Sequence, residues 1–553
     1  MARRSTPLLF LIWLCFALRL VFYAAVYPIW EGLDEWGHMA YVDHLRQTGE
    51  SPTAELPVSG EIAASLHMLP LAAHLPSLIG TGTSHPQYWR LPPEERALRE
   101  QGVRQLRIGL APQPELNAKN YQAQHPPLTY RLLHFLDRAF GFEDFPSRVY
   151  ALRLSLVAIA SLCLPLLWML AQRVFAQPSL VLPTCLGLAL MSNFAVYVAR
   201  VSNDGLALTL VAFAMVVFTT KMPLGHSWAR AAGAGAVAGL AAIGKAYGVL
   251  LVPVYALAAL VLSPSRWVQP LRNLGAFLAA FGIVAGWWFV PTFLSTGTLS
   301  GEALDVAAAA IPLGERLPNL LRIDWWQMWL YGSSSHIWIG GWSFLLLDEW
   351  LYWIFRAVGI LALAGLLRAA YRRLRRLPEP DTLTLPAFWV VPLPLVGLFV
   401  LAIIYQGWQI FSSHGATTAL GWYLSSVANA EAVVLVAGLG YAFGARHASK
   451  LAAILALLLA ALDLFTVNFL SLPYYAGFTV VLPGAMPILS PGQWPSGGWM
   501  EFAQRLSSNH PPWLSANILL ILWVLYLAAT ITLIVLALKH LRQPAAQKAL
   551  PPA

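Results

Sequence analysis

The sequence predicts an all-α polytopic membrane protein with about twelve transmembrane helices and a large first outer loop. Of its 553 residues, 58% are apolar and only 11% are charged, and the mean hydropathy is +0.61. Soluble proteins carry about 25% charged residues, so the composition excludes an ordinary soluble protein. The apolar residues also recur in long stretches, and a helix needs about 20 of them to cross a bilayer.

The apolar stretches predict the membrane helices in order. The first stretch, residues 7–27, follows Arg3 and Arg4 as a signal sequence would. It is longer than a usual signal core and lacks a small-residue cleavage site, so we interpret it as a retained helix. Eleven further stretches are predicted to span the membrane: 149–172, 179–198, 205–220, 231–244, 246–263, 273–294, 351–367, 386–405, 419–443, 450–469 and 517–538. Three long polar segments separate some of these helices: 28–147, 295–350 and 471–515.

The basic residues indicate the orientation of these helices. Arginines in a short loop favour the cytoplasmic side of the membrane. Five of them follow the eighth stretch: Arg368, Arg372, Arg373, Arg375 and Arg376. Both termini are then cytoplasmic, and the three polar segments lie outside. The net charge of +9 comes from such scattered loops, so we expect no nucleic-acid partner.

Two adjacent carboxylates, Asp34 and Glu35, come directly after the first apolar stretch. From His38 onward the pattern becomes that of an amphipathic helix, with His38 and Tyr41 three residues apart. Carboxylates at the mouth of a membrane helix could carry acid–base chemistry. The alternative is that one of them caps the amphipathic helix, as acidic residues often do.

A second polar cluster ends the same outer segment. Gln124 and His125 precede Pro126 and Pro127, with Tyr130 shortly after. Proline can start a helix at its first turn, so the pair holds the preceding residues in a rigid corner. The alternative is that His125 is an ordinary surface residue.

Cations near the outer ends of the helices form a third set of candidates. An ionisable residue inside a membrane span is costly and often functional. Four cations are predicted at one depth, with a polar pair beside the third: Arg19, Arg153, Arg200 with Asn203 and Asp204, and Lys245. Such a set suits a lipid phosphate. The alternative is that Arg19 and Lys245 reach up to the interface, while Arg200 only pairs with Asp204.

In this order, the motifs resemble the GT-C superfamily of polytopic glycosyltransferases, in particular the bacterial branch akin to protein O-mannosyltransferases and the aminoarabinose transferase. The resemblance covers residues 1–295 and thins afterwards. Its motifs are Pro28 to Tyr41 with Asp34, Glu35 and His38, then His125 to Tyr130, then Ser202-Asn203-Asp204, and Gly239 to Gly248 around Lys245. In the C-terminal half, Trp422 stands where relatives have arginine.

The resemblance implies transfer of a sugar from a polyprenyl-phosphate donor by inverting displacement, with Asp34 as the base. It implies that Glu35 orients the acceptor or holds the loop. Phosphate contacts would come from Arg200 and Lys245, with Arg153 and Arg19 as further candidates. The remaining site-lining residues would be His38, Gln124, His125, Tyr130, Asn203 and Asp204.

The acceptor would be a glycan, a lipid or a protein, and the sugar is left open. No metal ligands are assigned and no cofactor is expected with certainty, although a divalent metal remains an option. We expect a catalytic module at 1–295, an outer loop covering the site at 296–350, and C-terminal membrane helices at 351–553.

Other functions are compatible with a twelve-helix protein. A transporter or lipid flippase would place its charges near the bilayer midplane, usually with inverted repeats. A further alternative is a different outer-face enzyme, such as an O-antigen ligase or polymerase. Another is a non-catalytic membrane scaffold. The residue bias suggests a bacterial inner membrane, with the active site facing the periplasm or the exterior.

Overall fold

A computed structural model of the protein describes residues 2–111, 116–220, 227–262, 268–377, 383–479, 488–489 and 491–542. The first helix and the first outer segment contain α1 Ala2–Val26, α2 Glu35–Thr48, α3 Gly60–Met68, β1 Pro70–Leu71, α4 Leu75–Ile79, β2 Thr83–Ser84, α5 His85–Tyr88, α6 Pro93–Gln105 and α7 Leu128–Phe140. The next helices are α8 Phe145–Ser161, α9 Cys163–Val174, α10 Val181–Leu190, α11 Ser192–Val198, α12 Asp204–Phe218, α13 Trp228–Gly244, α14 Leu251–Leu262 and α15 Val268–Thr296.

The second outer segment contains α16 Ala303–Ala309, α17 Leu313–Arg316 and α18 Trp325–Ile337. The remaining helices are α19 Glu349–Leu374, α20 Pro386–Val390, α21 Pro392–His414, α22 Ala428–Phe443, α23 Ala445–Phe465, α24 Leu472–Tyr475, α25 Gly498–Leu506 and α26 Ala516–Arg542. Short 3-10 helices cover Tyr121–Gln124, Pro178–Leu180, Ala246–Leu250, Leu317–Leu321, Gly421–Val427 and Pro491–Gln493, and Thr466–Ser471 is a π-helix. Strands β1 and β2 pair in parallel.

The described residues contain eight helices that are long and apolar enough to cross a membrane. A ninth span results if Pro178–Leu190 and Ser192–Val198, which meet at a 56° bend, count as one broken helix. Helices α12, α13 and α14 are shorter. Each of the twelve predicted stretches therefore contains helix, and the all-α polytopic membrane fold is confirmed.

Two helix ends meet where the sequence places polar residues. Helix α12 begins at Asp204, and α13 ends at Gly244, after which Lys245 adopts an extended backbone. A helix N-terminus stabilises a carboxylate, and a helix C-terminus stabilises a cation. Both helix dipoles therefore favour the charges that the sequence puts at these ends.

The three outer segments meet at the buried side chain of Glu31. Its carboxylate accepts hydrogen bonds from the backbone N–H of Ser343 at 2.6 Å and from the hydroxyl of Tyr475 at 3.0 Å. His85 Nε2 lies 3.1 Å from the same carboxylate. Because buried charges need such partners, Glu31 ties the three long polar segments together.

Candidate active site

Asp34 occupies the N-cap position of α2, but its side chain makes no capping hydrogen bond. Its backbone is left-handed, with φ 57° and ψ 15°. A non-glycine residue in this conformation is uncommon, and such conformations cluster at functional sites. The carboxylate accepts a 2.8 Å hydrogen bond from the hydroxyl of Tyr121 instead. The capping interpretation is therefore not supported for Asp34.

Tyr121 reaches Asp34 because residue 37 is glycine. A Cβ atom on Gly37 would lie 2.7 Å from the Tyr121 ring, closer than real contacts allow. The ring also packs edge-on against Trp36 at 4.9 Å. Burial raises the pKa of Tyr121 well above its usual value, and the Asp34 carboxylate adds to this shift. The phenol therefore stays protonated and donates its hydrogen to Asp34.

Glu35 points into the protein, although it is adjacent to Asp34 in sequence. It is fully buried and forms a two-pronged ion pair with Arg153, whose Nε lies 2.6 Å from Glu35 Oε1. The backbone N–H groups of Val201 and Trp30 donate to the same carboxylate at 2.8 and 3.2 Å. All these partners lie within the protein, and whether Glu35 holds the loop or orients the acceptor stays a prediction.

Arg153 forms hydrogen bonds at the C-terminal end of the first helix. Its guanidinium donates to the carbonyl oxygens of Tyr27 at 2.6 Å and Pro28 at 2.8 Å, just beyond the last residue of α1. The last carbonyl groups of a helix have no partner within the helix, and an arginine can satisfy them. Between these carbonyls and Glu35, Arg153 is committed to structural contacts.

Arg200 and Lys245 converge on Asp204, which is completely buried. Lys245 Nζ lies 2.6 Å from Asp204 Oδ1, and Arg200 donates to Oδ2 at 2.8 Å. The hydroxyl of Tyr197 also donates to Oδ1, at 2.6 Å. We call Arg200, Lys245 and Asp204 together the cation triad. Its two cations and one carboxylate leave a net charge of +1.

The cation triad adjoins the Asp34 loop. Arg200 donates a 2.6 Å hydrogen bond to the carbonyl oxygen of Leu33, the residue before Asp34. Its side chain passes so close to Gly32 that a Cβ there would lie 2.5 Å from Arg200 Cβ. On the other side, Lys245 Nζ lies 5.2 Å from the ring centre of Tyr423. The site thus has a carboxylate at one end, cations at the other and an aromatic wall.

Two histidines line the site in their neutral form. His38 Nδ1 lies 2.8 Å from the hydroxyl of Tyr130, and the His38 and His125 rings stack 6.2 Å apart. Burial lowers the pKa of His38 well below its usual value, and the Arg200 charge adds to this shift. Burial likewise lowers the pKa of His125 to about 3. Neither ring is therefore a cationic proton donor near neutral pH.

Glu302 is a site residue that the sequence analysis missed. The side chain of Gln124 accepts a 2.8 Å hydrogen bond from the backbone N–H of Ala303, which brings Glu302 Oε1 to 3.8 Å from His125 Nδ1. Burial, with a contribution from Asp305, raises the pKa of Glu302 to about 7. No pattern around Glu302 signals this role, because the contact joins residues about 180 positions apart in the chain.

Asn203 is fully buried beside the cation triad. Its side-chain nitrogen and oxygen have no hydrogen-bond partner within the described part of the chain. Unpaired polar atoms are costly inside a protein. They are therefore available to a polar ligand that enters the site.

Arg19 belongs to a different cluster. It forms a 2.6 Å ion pair with Asp463 in α23 and donates to Thr530 in α26 at 3.1 Å. The expected set of four neighbouring cations is therefore divided: Arg200 and Lys245 lie together, Arg153 binds Glu35, and Arg19 binds Asp463. Arg19 and Lys245 are both buried, and each pairs with a buried carboxylate, Asp463 and Asp204 respectively.

Trp422, which stands where relatives have arginine, packs near Phe344 with a ring distance of 6.3 Å. The next residue, Tyr423, is the one that faces Lys245. Within the described ranges, no group of three or more His, Cys, Asp or Glu side chains could hold a metal ion.

The family comparison covers the middle of this site. Residues 124–289 match the family model of dolichyl-phosphate-mannose-protein mannosyltransferases. This part of the chain is similar to GT-C membrane glycosyltransferases. The match includes the motifs around His125, Asp204 and Lys245, so the resemblance in the sequence is confirmed.

Comparison with solved structures adds only distant similarity to this GT-C family match. ArnT from Cupriavidus metallidurans bound to undecaprenyl phosphate is 15% identical, with a TM-score of 0.43, over 96% of this chain and 74% of that chain. Archaeoglobus fulgidus oligosaccharyltransferase AglB, in complex with an inhibitory peptide and a dolichol-phosphate, is 12% identical, with a TM-score of 0.40, over 99% of this chain and 61% of that chain. No curated protein sequence matches the chain.

Proposed function

We propose that the protein transfers a sugar from a polyprenyl-phosphate donor to an acceptor hydroxyl on the outer face of the membrane. The observation that carries this proposal is that an Asp34 carboxylate and a buried cation triad share one site, linked through the hydrogen bond from Arg200 to Leu33. The matched family is named for a dolichyl-phosphate sugar donor, which supports a lipid-phosphate donor.

Asp34 is the catalytic base in this proposal. The acceptor hydroxyl gives its proton to the Asp34 carboxylate as its oxygen attacks the anomeric carbon. The bond between that carbon and the phosphate oxygen breaks, and the lipid phosphate leaves. Attack opposite the leaving group inverts the configuration, and one positioned carboxylate on the attack side is sufficient. Tyr121 is a positioning residue, because its hydroxyl fixes the Asp34 carboxylate.

The cation triad stabilises the leaving phosphate. A sugar phosphodiester carries one negative charge, which matches the net charge of +1 on Arg200, Lys245 and Asp204. Fixed cations in a site that excludes water stabilise charge that develops in the transition state. The unpaired amide of Asn203 can donate a further hydrogen bond. Arg19 and Arg153 are held by other carboxylates, so we leave them out of the donor site.

The neutral side chains line the space around the sugar and the acceptor. His38, His125 and Tyr130 offer uncharged hydrogen-bonding groups, and Gln124 fixes the loop that carries Glu302. We propose that these residues position hydroxyl groups and carry no charge in the reaction. The acceptor, a glycan, a lipid or a protein, is left open, as is the sugar. The outer site and cytoplasmic termini follow from the arginine pattern and are part of the proposal.

A donor panel tests this function. Membranes containing the protein are incubated with radiolabelled sugars carried on polyprenyl phosphate or on nucleotides. We expect labelled product only from a polyprenyl-phosphate donor, and none with the Lys245→Met variant. Lys119→Met is the matched control, because Lys119 pairs with Glu55 at the surface, away from the site. Labelling from nucleotide donors alone, or equal labelling by both variants, would contradict the proposal.

A further inference from the structure

A cavity of about 320 Å³ lies apart from the candidate active site. It is bounded by helices α10, α18, α19, α22 and α23. None of Asp34, Arg200, Lys245 and Glu302 lines it. Its walls are mostly apolar and include Leu188, Leu363, Leu435 and Leu459. The volume is within the range of small-molecule sites. We call this cavity the α10–α19 groove.

The groove runs along the helices. Its lining on α10 extends from Pro183 to Leu188, with Met191 just beyond the end of that helix, and its lining on α19 extends from Phe355 to Leu363. The α19 stretch covers about 12 Å and the α10 stretch about 7.5 Å at the 1.5 Å rise per residue of a helix. Helix α19 is a membrane span, and α10 is the first part of the bent pair that counts as a ninth span if its two helices form one broken helix. A long apolar slot among spanning helices has the shape of one hydrocarbon chain standing in the bilayer.

One end of the groove is polar. His336 Nε2 binds Glu431 Oε1, and both side chains line the groove while remaining partly exposed. Glu431 Oε2 has no hydrogen-bond partner within the described residues. A carboxylate has room for several donors, so Glu431 can accept one from a ligand after a small rotation.

Arg356, the cation at the polar end of the groove, already has protein partners for its hydrogen-bond donors. Arg356 donates to Ser333 and Ser334, each at 2.7 Å, to the carbonyl oxygen of Leu330 at 3.2 Å, and to Glu349. Its guanidinium is almost fully buried and has little capacity left for a phosphate. The ligand group at this depth is therefore a hydrogen-bond donor and not a phosphate.

We propose that the α10–α19 groove binds one hydrocarbon chain of a membrane lipid that carries a hydroxyl or amide N–H near its polar end. The donor group hydrogen-bonds to Glu431, and the chain fills the space down to Leu363 and Ala452. This site is separate from the cation triad, so it binds lipid whether or not the sugar donor is present.

Two glycines allow the groove to be filled without strain. A Cβ on Gly187 or on Gly359 would meet no heavy atom within 4 Å, and both residues line the groove. Gly187→Leu and Gly359→Leu therefore occupy the slot while leaving the backbone in place. Gly282→Leu and Gly397→Leu are matched controls, because these glycines also face open space but lie on other membrane helices, α15 and α21.

The test uses photoactivatable lipids and the full-length protein in lipid nanodiscs. The probes are a diazirine ceramide, which has a hydroxyl and an amide N–H, a diazirine phosphatidylcholine, which has neither, and a diazirine polyprenyl phosphate. Crosslinked peptides from α10 and α19 are quantified by mass spectrometry. We expect the ceramide to label these peptides roughly tenfold more than the phosphatidylcholine, the factor given by one good hydrogen bond.

Both groove variants should lose this labelling, and both controls should keep it. Glu431→Gln should reduce the preference for ceramide while chain binding persists. Elution as one species in size-exclusion chromatography confirms that each variant is folded, and the two groove variants serve as checks on each other. Equal labelling by ceramide and phosphatidylcholine, unchanged labelling in both groove variants, or dominant labelling by the polyprenyl phosphate would each overturn the proposal.

Discussion

Two neighbouring carboxylates, Asp34 and Glu35, face opposite directions and have different partners. The left-handed backbone at Asp34 starts α2 without a side-chain cap, and its carboxylate meets a phenol at the site. Glu35 enters the protein and pairs with Arg153. We therefore propose that catalysis depends on Asp34 and that stability depends on Glu35.

Removal of the Tyr121 hydroxyl should slow transfer without unfolding the protein. Tyr121→Phe deletes the hydrogen bond that holds Asp34, and a hydrogen bond to a charged group contributes about 1.5–3 kcal/mol. We expect kcat to fall by about tenfold or more, with little change in KM for the donor. Steady-state kinetics and the thermal midpoint of the purified protein test this. An unchanged kcat, or a lower kcat that comes with a lower thermal midpoint, would contradict the positioning role.

The raised pKa of Glu302 predicts a pH dependence of donor binding. The carboxyl group is neutral below about pH 7 and anionic above it. The phosphodiester of the donor carries one negative charge over this whole range. As the pH rises through 7, the ionised Glu302 carboxylate therefore repels it. We expect KM for the donor to increase over this range in the wild type and to stay level in Glu302→Gln. The Glu315→Gln variant is the control, because Glu315 is exposed. If KM for the donor rose with pH in Glu302→Gln as it does in the wild type, the charge on Glu302 would not be the cause.

At the scale of the elements, a buried arginine connects three helices. Arg153, in α8, joins the end of α1 to the start of α2 by pairing with Glu35. Removal of one partner from a buried ion pair leaves the other charge unpaired, at a cost of about 3–5 kcal/mol. The first membrane helix and the catalytic loop should therefore loosen together.

Glu35→Gln should destabilise the protein far more than Asp34→Asn. In Asp34→Asn the amide oxygen still accepts from Tyr121, so only a small loss of stability is expected. Thermal unfolding of both variants in the same detergent compares the two directly. Similar midpoints for the two variants would show that Glu35 and Arg153 do not hold the loop.

The helices could be predicted from the sequence more completely than the contacts between them. The twelve apolar stretches, and the placement of Asp204 and Lys245 at helix ends, follow from local composition. The partner of Arg19 could not be predicted, because Asp463 lies in another helix 444 residues away. The roles of Tyr121 and Glu302 were missed for the same reason, since packing between distant segments brings them to the site.

At the scale of the whole molecule, the three long polar segments meet at Glu31, and the first two of them contribute Asp34, Tyr121 and Glu302 to the site. The arginine cluster between 368 and 376 predicts that this site faces the outer side of the membrane. A transporter would use charges near the middle of the bilayer, whereas here Asp34 lies in the first long polar segment and the cation triad adjoins it through the hydrogen bond from Arg200 to Leu33. This arrangement favours chemistry at the membrane surface.

The most direct test of the central claim is transfer by Asp34→Asn. The purified protein is given the best polyprenyl-phosphate donor and its acceptor, and labelled product is counted over a single turnover. Asp144→Asn is the matched control, because Asp144 caps α8 through a 2.9 Å hydrogen bond that asparagine can replace. We expect Asp34→Asn to bind the donor but form no product, while Asp144→Asn transfers at the wild-type rate. Wild-type transfer by Asp34→Asn would show that Asp34 is not the base.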